Sequence, residues 1–406
     1  MKTRLAALGL LLAMSARADM AAFPAVRLKD VYGSSCVSAN GYHYAVLVAG
    51  KRNDQFLVDG RPIAEAAPGI LEGTGYSDCA LSDDGKELLH VMKVPSSQGR
   101  VGGVVAAMNG KPFGSVVQDV SNLSLSPDHT FAAFVARTAG GYQVVSSLGS
   151  GPLMDGAPRK IIVGPSSIYY MENWKESEVI YRDSAPVASG NYYEIAAPPD
   201  LSRLAASRSD AGSWFIELDG KTQTIPAPHV TNLAFSADGR HFGYFHGQEV
   251  VVDGKTGPAP TRDEAERSDL SLSPDGTPYW MDRNGHEFDV FRGGKRIATV
   301  SNMDSAIGFS PKGTHAVFFG HKVSGPDYFA FIDGKTALRI HDPIHSAVNN
   351  HSAQPTFDSE DEFHFFASDG YRVELVCVSL GKTSARHGPC AQTARRLGLQ
   401  ARAEQP

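Results

Sequence analysis

Several stretches of this sequence have the residue types that chemistry requires. Gly-Lys-Thr occurs at 220–222, 254–256, 334–336 and 381–383. A phosphate-binding loop needs a further glycine five residues ahead of that tripeptide and a helix behind it. The positions five back hold Phe215, Glu249, Phe329 and Val376, and strand-like residues flank every copy. Each copy therefore reads as a hairpin turn with a solvent-facing lysine. The segment "HDPIHSAVNNH" places His341, His345 and His351 beside Asp342, a donor set that suits zinc. Pro343 prevents a helix from aligning His341 with His345, and a polar connection between repeats explains the composition, so no metal site is assigned. "GHEFD" at 285–289 begins like H-E-x-x-H and then diverges, and no G-x-S-x-G elbow occurs. No catalytic, cofactor-binding or metal residue is assigned.

The cysteines are Cys36, Cys79, Cys377 and Cys390. None forms the short C-x-x-C pair of a structural zinc site, and an even count in an exported chain reads as disulfides. Cys36 and Cys79 occupy equivalent places in neighbouring repeats and could bridge. Cys377 and Cys390 flank Gly381 and could form a cross-strand bridge. Pairing of Cys36 or Cys79 with Cys377 would instead staple the two ends of the chain together, and stays open.

The elements that would have to position any site are repeated. An apolar strand, a Ser-x-Asp-Gly-like turn and a second apolar or aromatic strand recur, as in "LSLSPDGTPYWMD" at 270–282. The turns carry Gly41, Gly85, Gly239, Gly276 and Gly313, with Asp128 and Asp361 marking two copies that lack the glycine. Proline presets φ, aspartate or asparagine tolerates the next position, and glycine supplies positive φ. Measured on the glycine position, the steps are 44, 44, 110, 37, 37 and 49 residues, and the long step must hold one or two degenerate copies. "SEVIYRDSA" (177–185) and "PPDLSRLAASRS" (198–209) are the candidates. A second hairpin follows each first one, at Gly60, Gly110, Gly156, Gly220, Gly254, Gly294, Gly334 and Gly381.

Four strands recurring about every 40 residues are the signature of a β-propeller. A lone sheet of this kind has two faces to bury and two exposed edges, and stacking in a closed ring removes both problems. The expected fold is all-β: a single β-propeller of about eight four-stranded blades over residues 19–390. Seven or nine blades are the alternatives, because residues 157–215 resist assignment.

The "LSPDG…VDGK" pattern, spread over roughly residues 30–385, resembles the propeller repeats of the TolB type, which also occur in prolyl-oligopeptidase relatives. The resemblance does not extend to TolB's separate N-terminal α/β domain. It implies a periplasmic protein that works through protein–protein contacts.

The N-terminus agrees on compartment. Lys2 and Arg4 precede an apolar stretch from Leu5 to Ala16, and Ala16-Arg17-Ala18 is a cleavage pattern. Residues 1–18 thus read as a secretory signal peptide, and nothing later approaches a membrane helix in length. Without the signal, 35 basic residues face 44 acidic ones, a charge near −9. That balance argues against nucleic acid or anionic lipid as partner. Residues 391–406, "AQTARRLGLQARAEQP", read as a disordered or weakly helical tail. The expected function is that of an exported, non-catalytic scaffold binding a protein or peptide in the periplasm or cell envelope. A propeller-type lyase or hydrolase with a site at the channel mouth is one alternative, and a sugar- or small-ligand-binding propeller another.

Overall fold

The structure, a computed structural model, describes residues 18–27, 31–48, 55–65, 79–95, 101–126, 128–172, 178–226, 229–259, 270–303, 305–323, 325, 327–343, 355–368, 372–381 and 384–399. Among them the strands form nine antiparallel sheets built on four strands each, in the order of the chain. The seventh sheet is typical: Ser271–Leu272, Pro278–Asn284, Glu287–Arg292 and Lys295–Val300, each paired with the next. Nine such sheets in a ring make a β-propeller.

Strand periodicity is what closes the ring. Successive side chains point to opposite faces of a sheet, and both faces of every blade are covered. Trp280 packs with Phe245 and Leu272 against the sixth blade, whereas its neighbour Tyr279 packs with Phe318 and Ile307 against the eighth. Tyr170 likewise faces the third blade, and Tyr169 and Met171 face the fifth. The buried apolar side chains fall into nine clusters, each shared by two neighbouring blades. Strands buried on both faces must be apolar at consecutive positions, which accounts for runs such as Ala316-Val317-Phe318-Phe319.

The ends of the chain meet in the ninth blade. Strand Asp19–Arg27 lies antiparallel to Arg372–Ser379 as that blade's outermost strand, with Asp19 opposite Ser379 and Phe23 opposite Leu375. The first strand therefore completes the last blade, and unfolding at either end opens the ring.

The count of nine sits at the upper end of the expected seven to nine. The 110-residue step conceals two first hairpins that lack Asp-Gly. One is a tight turn at Gly164–Ser167, where the Gly164 N–H donates to the Ser167 carbonyl at 3.0 Å. The other is at Pro198–Leu201, where Leu201 holds φ +52° in place of glycine. "PPDLSRLAASRS" thus contains the fifth blade's first hairpin. "SEVIYRDSA" belongs instead to the fourth blade's outer hairpin, between Glu178–Arg182 and Ala185–Gly190. Gly60, Gly110, Gly220, Gly254, Gly294 and Gly334 lie in outer hairpin turns as expected, each at positive φ. Gly156 and Gly381 do not. The third blade turns at Ser147-Leu148, and Gly381 follows a strand whose outer partner comes from the N-terminus.

Beyond the ring, Pro389–Arg396 forms a helix with Cys390, Ala391 and Ala394 buried against the ninth blade. This is where a disordered or weakly helical tail was expected. Small side chains on one helical face and a disulfide anchor hold it there. Residues 400–406 lie outside the described residues, as do residues 1–17 of the expected signal peptide.

Candidate functional site

Antiparallel strand order sends the first–second and third–fourth turns of every blade to one face of the ring. The second–third turns and the blade-to-blade connections go to the other. The repeat turns are thus gathered on one face, where their polar groups bond to one another. Ser82, Ser126 and Ser236 donate their hydroxyls to Asp84, Asp128 and Asp238 at 2.7–2.8 Å, and Ser273 does the same to Asp275. Each of those carboxylates also accepts the N–H two residues on, from Lys86, Thr130, Arg240 and Thr277. Burial pushes the Asp238 carboxyl up, but the Ser236 and Arg240 hydrogen bonds outweigh it and bring the pKa to about 2. These acids are turn formers held ionised, not proton donors.

Two turns show how strictly the fold requires an acceptor there. At Gly41 the side chain of Asn40 takes the part of the aspartate, accepting from Ser38 and from the Tyr42 N–H. At Gly313 the sequence supplies Lys312 instead, and Glu360 of the next blade reaches across. Glu360 accepts from Ser310 Oγ at 2.6 Å, from the Lys312 N–H at 2.9 Å and from Thr314. Against a rise from burial, these bonds lower its pKa to about 2. The Asp361 copy is a two-residue turn closed by the Ser359–Glu362 pair, and the Asp128 copy puts His129 at φ +54°.

A second layer was not visible in the sequence reading. The aspartates of the outer turns, Asp59, Asp219, Asp253 and Asp333, accept an N–H at or just before the start of the second strand, from Tyr44, Leu204, Phe242 and Ala316. Three of them also hold a histidine: His43 Nδ1 lies 2.6 Å from Asp59, His241 2.6 Å from Asp253 and His315 2.8 Å from Asp333. Asp–His pairs suggest general-base chemistry, but the following blade covers these rings. Hydrogens aside, a Cβ on Gly85 would lie 2.5 Å from His43 Nδ1, and one on Gly276 would lie 2.8 Å from His241 Nδ1. The His43 and His241 pairs are blade-to-blade contacts that require glycine opposite, whereas His315 faces Asp361 of the ninth blade at 3.7 Å. The signal in sequence was a histidine two residues after a turn glycine, at 43, 241 and 315, followed by an Asp-Gly 12 to 18 residues later.

Both disulfides join neighbouring elements. Cys36–Cys79 links the inner strands of the first and second blades. Cys377–Cys390 ties the ninth blade to the C-terminal helix, so it is not the cross-strand bridge of a last hairpin. Asp358, His364 and Cys390 present ligand-type atoms within 4.8 Å of one another. They do not suit a metal: the Cys390 sulfur is in the disulfide, and both His364 nitrogens are engaged, by Asp358 at 2.8 Å and the Asn40 carbonyl at 3.1 Å. Tyr42 stacks on His364 and donates its hydroxyl to Asp358, locking the first blade to the ninth. Of the histidine-rich segment, His341 is exposed, and His345 and His351 lie outside the described residues.

The opposite face carries an open aromatic group on the fifth blade. Tyr193, on the inner strand Tyr192–Ala196, is 44% exposed, while Tyr192 beside it is buried and bonds Glu217 at 2.7 Å. The Tyr193 ring lies 4.6 Å from Trp214, and Trp214 lies 5.9 Å from His229. Ser209 anchors the Tyr193 hydroxyl at 3.2 Å. Beneath, Arg208 bonds Glu217 at 2.6 Å and stacks on Phe215. Rings packed at tilts of 44° and 49° over a fixed polar base form a half-apolar platform on this face.

Comparison with known proteins supports the fold. No family model matches the chain, and no curated protein matches it. Among solved structures, a crystal structure of the eukaryotic initiation factor aligns with a TM-score of 0.50 at 13% identity, covering 80% of this chain and 96% of that one. The Dos1 propeller (TM-score 0.38, 11% identity) covers 90% of this chain and 95% of its own. The WD40 domain of SCAP from fission yeast (0.40, 11%) covers 89% and 98%. At such identities the likeness concerns the fold alone. The chain is a β-propeller.

Proposed function

We propose that this propeller is an exported scaffold, TolB-type in its repeats, that binds a protein or peptide segment over the face carrying Tyr193, Trp214 and His229. The observation that carries this reading is the exposed, pre-packed aromatic platform. On the other face the corresponding polar groups are consumed by the fold, whereas Tyr193 and Trp214 offer ring surface with little conformational entropy left to lose. Aromatic anchors of this kind dominate the energetics of protein interfaces.

Export is supported by the signal-like N-terminus, whose cleavage pattern ends at Ala18, where the first strand of the fold begins at Asp19. The two disulfides suit an oxidising compartment. Among the described residues no helix is long and apolar enough to cross a membrane.

The test is capture from envelope extracts with the purified propeller and with Tyr193→Ala/Trp214→Ala. A specific partner retained by the parent and lost by the double variant, with an unchanged melting temperature, is the expected result. Equal recovery by both proteins would refute this face, and recovery of no partner alongside turnover in a hydrolase or lyase screen would refute the scaffold reading.

A further inference from the structure

A cavity of about 450 Å³ opens at the seam of the ring, on the side away from the aromatic platform, between the first two blades, the ninth and the C-terminal helix. Its lining is apolar at Tyr44, Val58, Ile63, Phe366, Leu397 and Leu399. Five charged groups also line it. Two are acids already matched: Asp59 by His43 at 2.6 Å, and Asp84 by Lys86 at 2.7 Å. The two guanidinium groups, Arg61 and Arg396, have no hydrogen-bond or ion-pair partner among the described residues. The hydroxyl of Tyr44, a residue only 1% exposed, also lacks a partner there.

We propose that this cavity binds a small carboxylate with an apolar body. The acid group pairs with Arg61 and Arg396, and the body rests on Tyr44, Phe366 and Leu397. A guanidinium binds a carboxylate through two parallel, charge-assisted hydrogen bonds. Three basic groups of the lining, Arg61, Lys86 and Arg396, outnumber its two acids, Asp59 and Asp84, so the mouth is net positive. The volume lies in the range of small-molecule sites. Leu397, 40% exposed, places an apolar side chain at the mouth, where the apolar body of the ligand would cover it. Residues 400–406 (QARAEQP) include no large apolar side chain. The helix that supplies Arg396, and is followed by Leu397 and Leu399, is held by Cys377–Cys390, so the site depends on an intact disulfide.

The experiment is calorimetric titration of the full chain with decanoate below its micelle concentration, alongside decanamide and inorganic phosphate. Saturable binding at one site per chain is expected, with decanamide and phosphate each at least tenfold weaker. Arg61→Gln/Arg396→Gln, both at exposed positions, should weaken decanoate at least tenfold at an unchanged melting temperature. Ile63→Trp, which fills the cavity, should abolish binding. Tyr193→Ala/Trp214→Ala should bind decanoate as the parent does, which separates this site from the platform. Absence of saturable binding, equal affinity in the arginine variant, or equal binding of decanamide or phosphate would each overturn the proposal.

Discussion

Gly276→Val tests the central structural argument, that turn glycines serve the contact between blades as well as the turn. Gly276 has φ +80°, and its N–H donates to the Ser273 carbonyl at 2.9 Å. A β-branched residue in that region is strained by about 1–2 kcal/mol. A Cβ there would also lie 2.8–3.1 Å from three atoms of the His241 ring, which Asp253 holds at 2.6 Å. Relief requires displacing that ring and loosening a charge-assisted bond, a further loss of about 1–3 kcal/mol. Gly254 is the control: its φ is +75°, but a Cβ there meets nothing within 4 Å. Gly254→Val therefore measures backbone strain alone. In a chain of 406 residues, about 1 kcal/mol lowers the melting temperature by about 1 °C. Differential scanning calorimetry at a fixed scan rate should show a fall of about 2–5 °C for Gly276→Val and about 1–2 °C for Gly254→Val, with Gly276→Val the larger. Equal shifts would refute the idea that the histidine–glycine contact joins the sixth and seventh blades.

Two further outcomes follow from buried groups. His90 is fully buried, accepts from the Gly110 N–H through Nε2 at 3.2 Å, and burial lowers its pKa from 6.5 to about 4. Because the folded value is depressed, its stabilising contribution is complete above about pH 6.5 and is lost as pH falls towards 4, by about 3 kcal/mol. Melting curves from pH 7 to 4 should therefore fall more steeply for the parent than for His90→Gln, and identical slopes would contradict this. The disulfides should separate by readout. Removing Cys36–Cys79, 43 residues apart, weakens the ring itself by about 4 kcal/mol and should lower the global melting temperature. Removing Cys377–Cys390, 13 residues apart, should chiefly expose Pro389–Leu399 to proteolysis while the β-sheet circular dichroism persists; a protected C-terminus would contradict the anchoring role.

Most of the architecture was legible because a propeller writes itself repeatedly. Gly85, Gly239, Gly276 and Gly313 each sit in a turn that demands positive φ, and local sequence reports such turns without knowledge of the partner blade. The same logic missed Gly164–Ser167 and reached Pro198–Leu201 only as a degenerate copy, because other residues meet the backbone requirement at both turns. The cysteine partners were undecided because equivalent positions in adjacent repeats, and a helix docked on a blade, are equally consistent with several pairings until the ring is closed.

Sequence alone determined the strand-turn rhythm, the all-β class and the role of Asp275 as a turn former, since these depend on residues within a few positions of one another. Only the tertiary structure decided how the ends meet, with Asp19–Arg27 completing the blade of Arg372–Ser379. It also decided that Glu360 replaces the aspartate absent at Lys312, that His241 needs glycine opposite it, and that Tyr193, Trp214 and His229 converge. In each of these cases the partners belong to different strands or different blades. Their chemistry is created by ring closure and has no local signature.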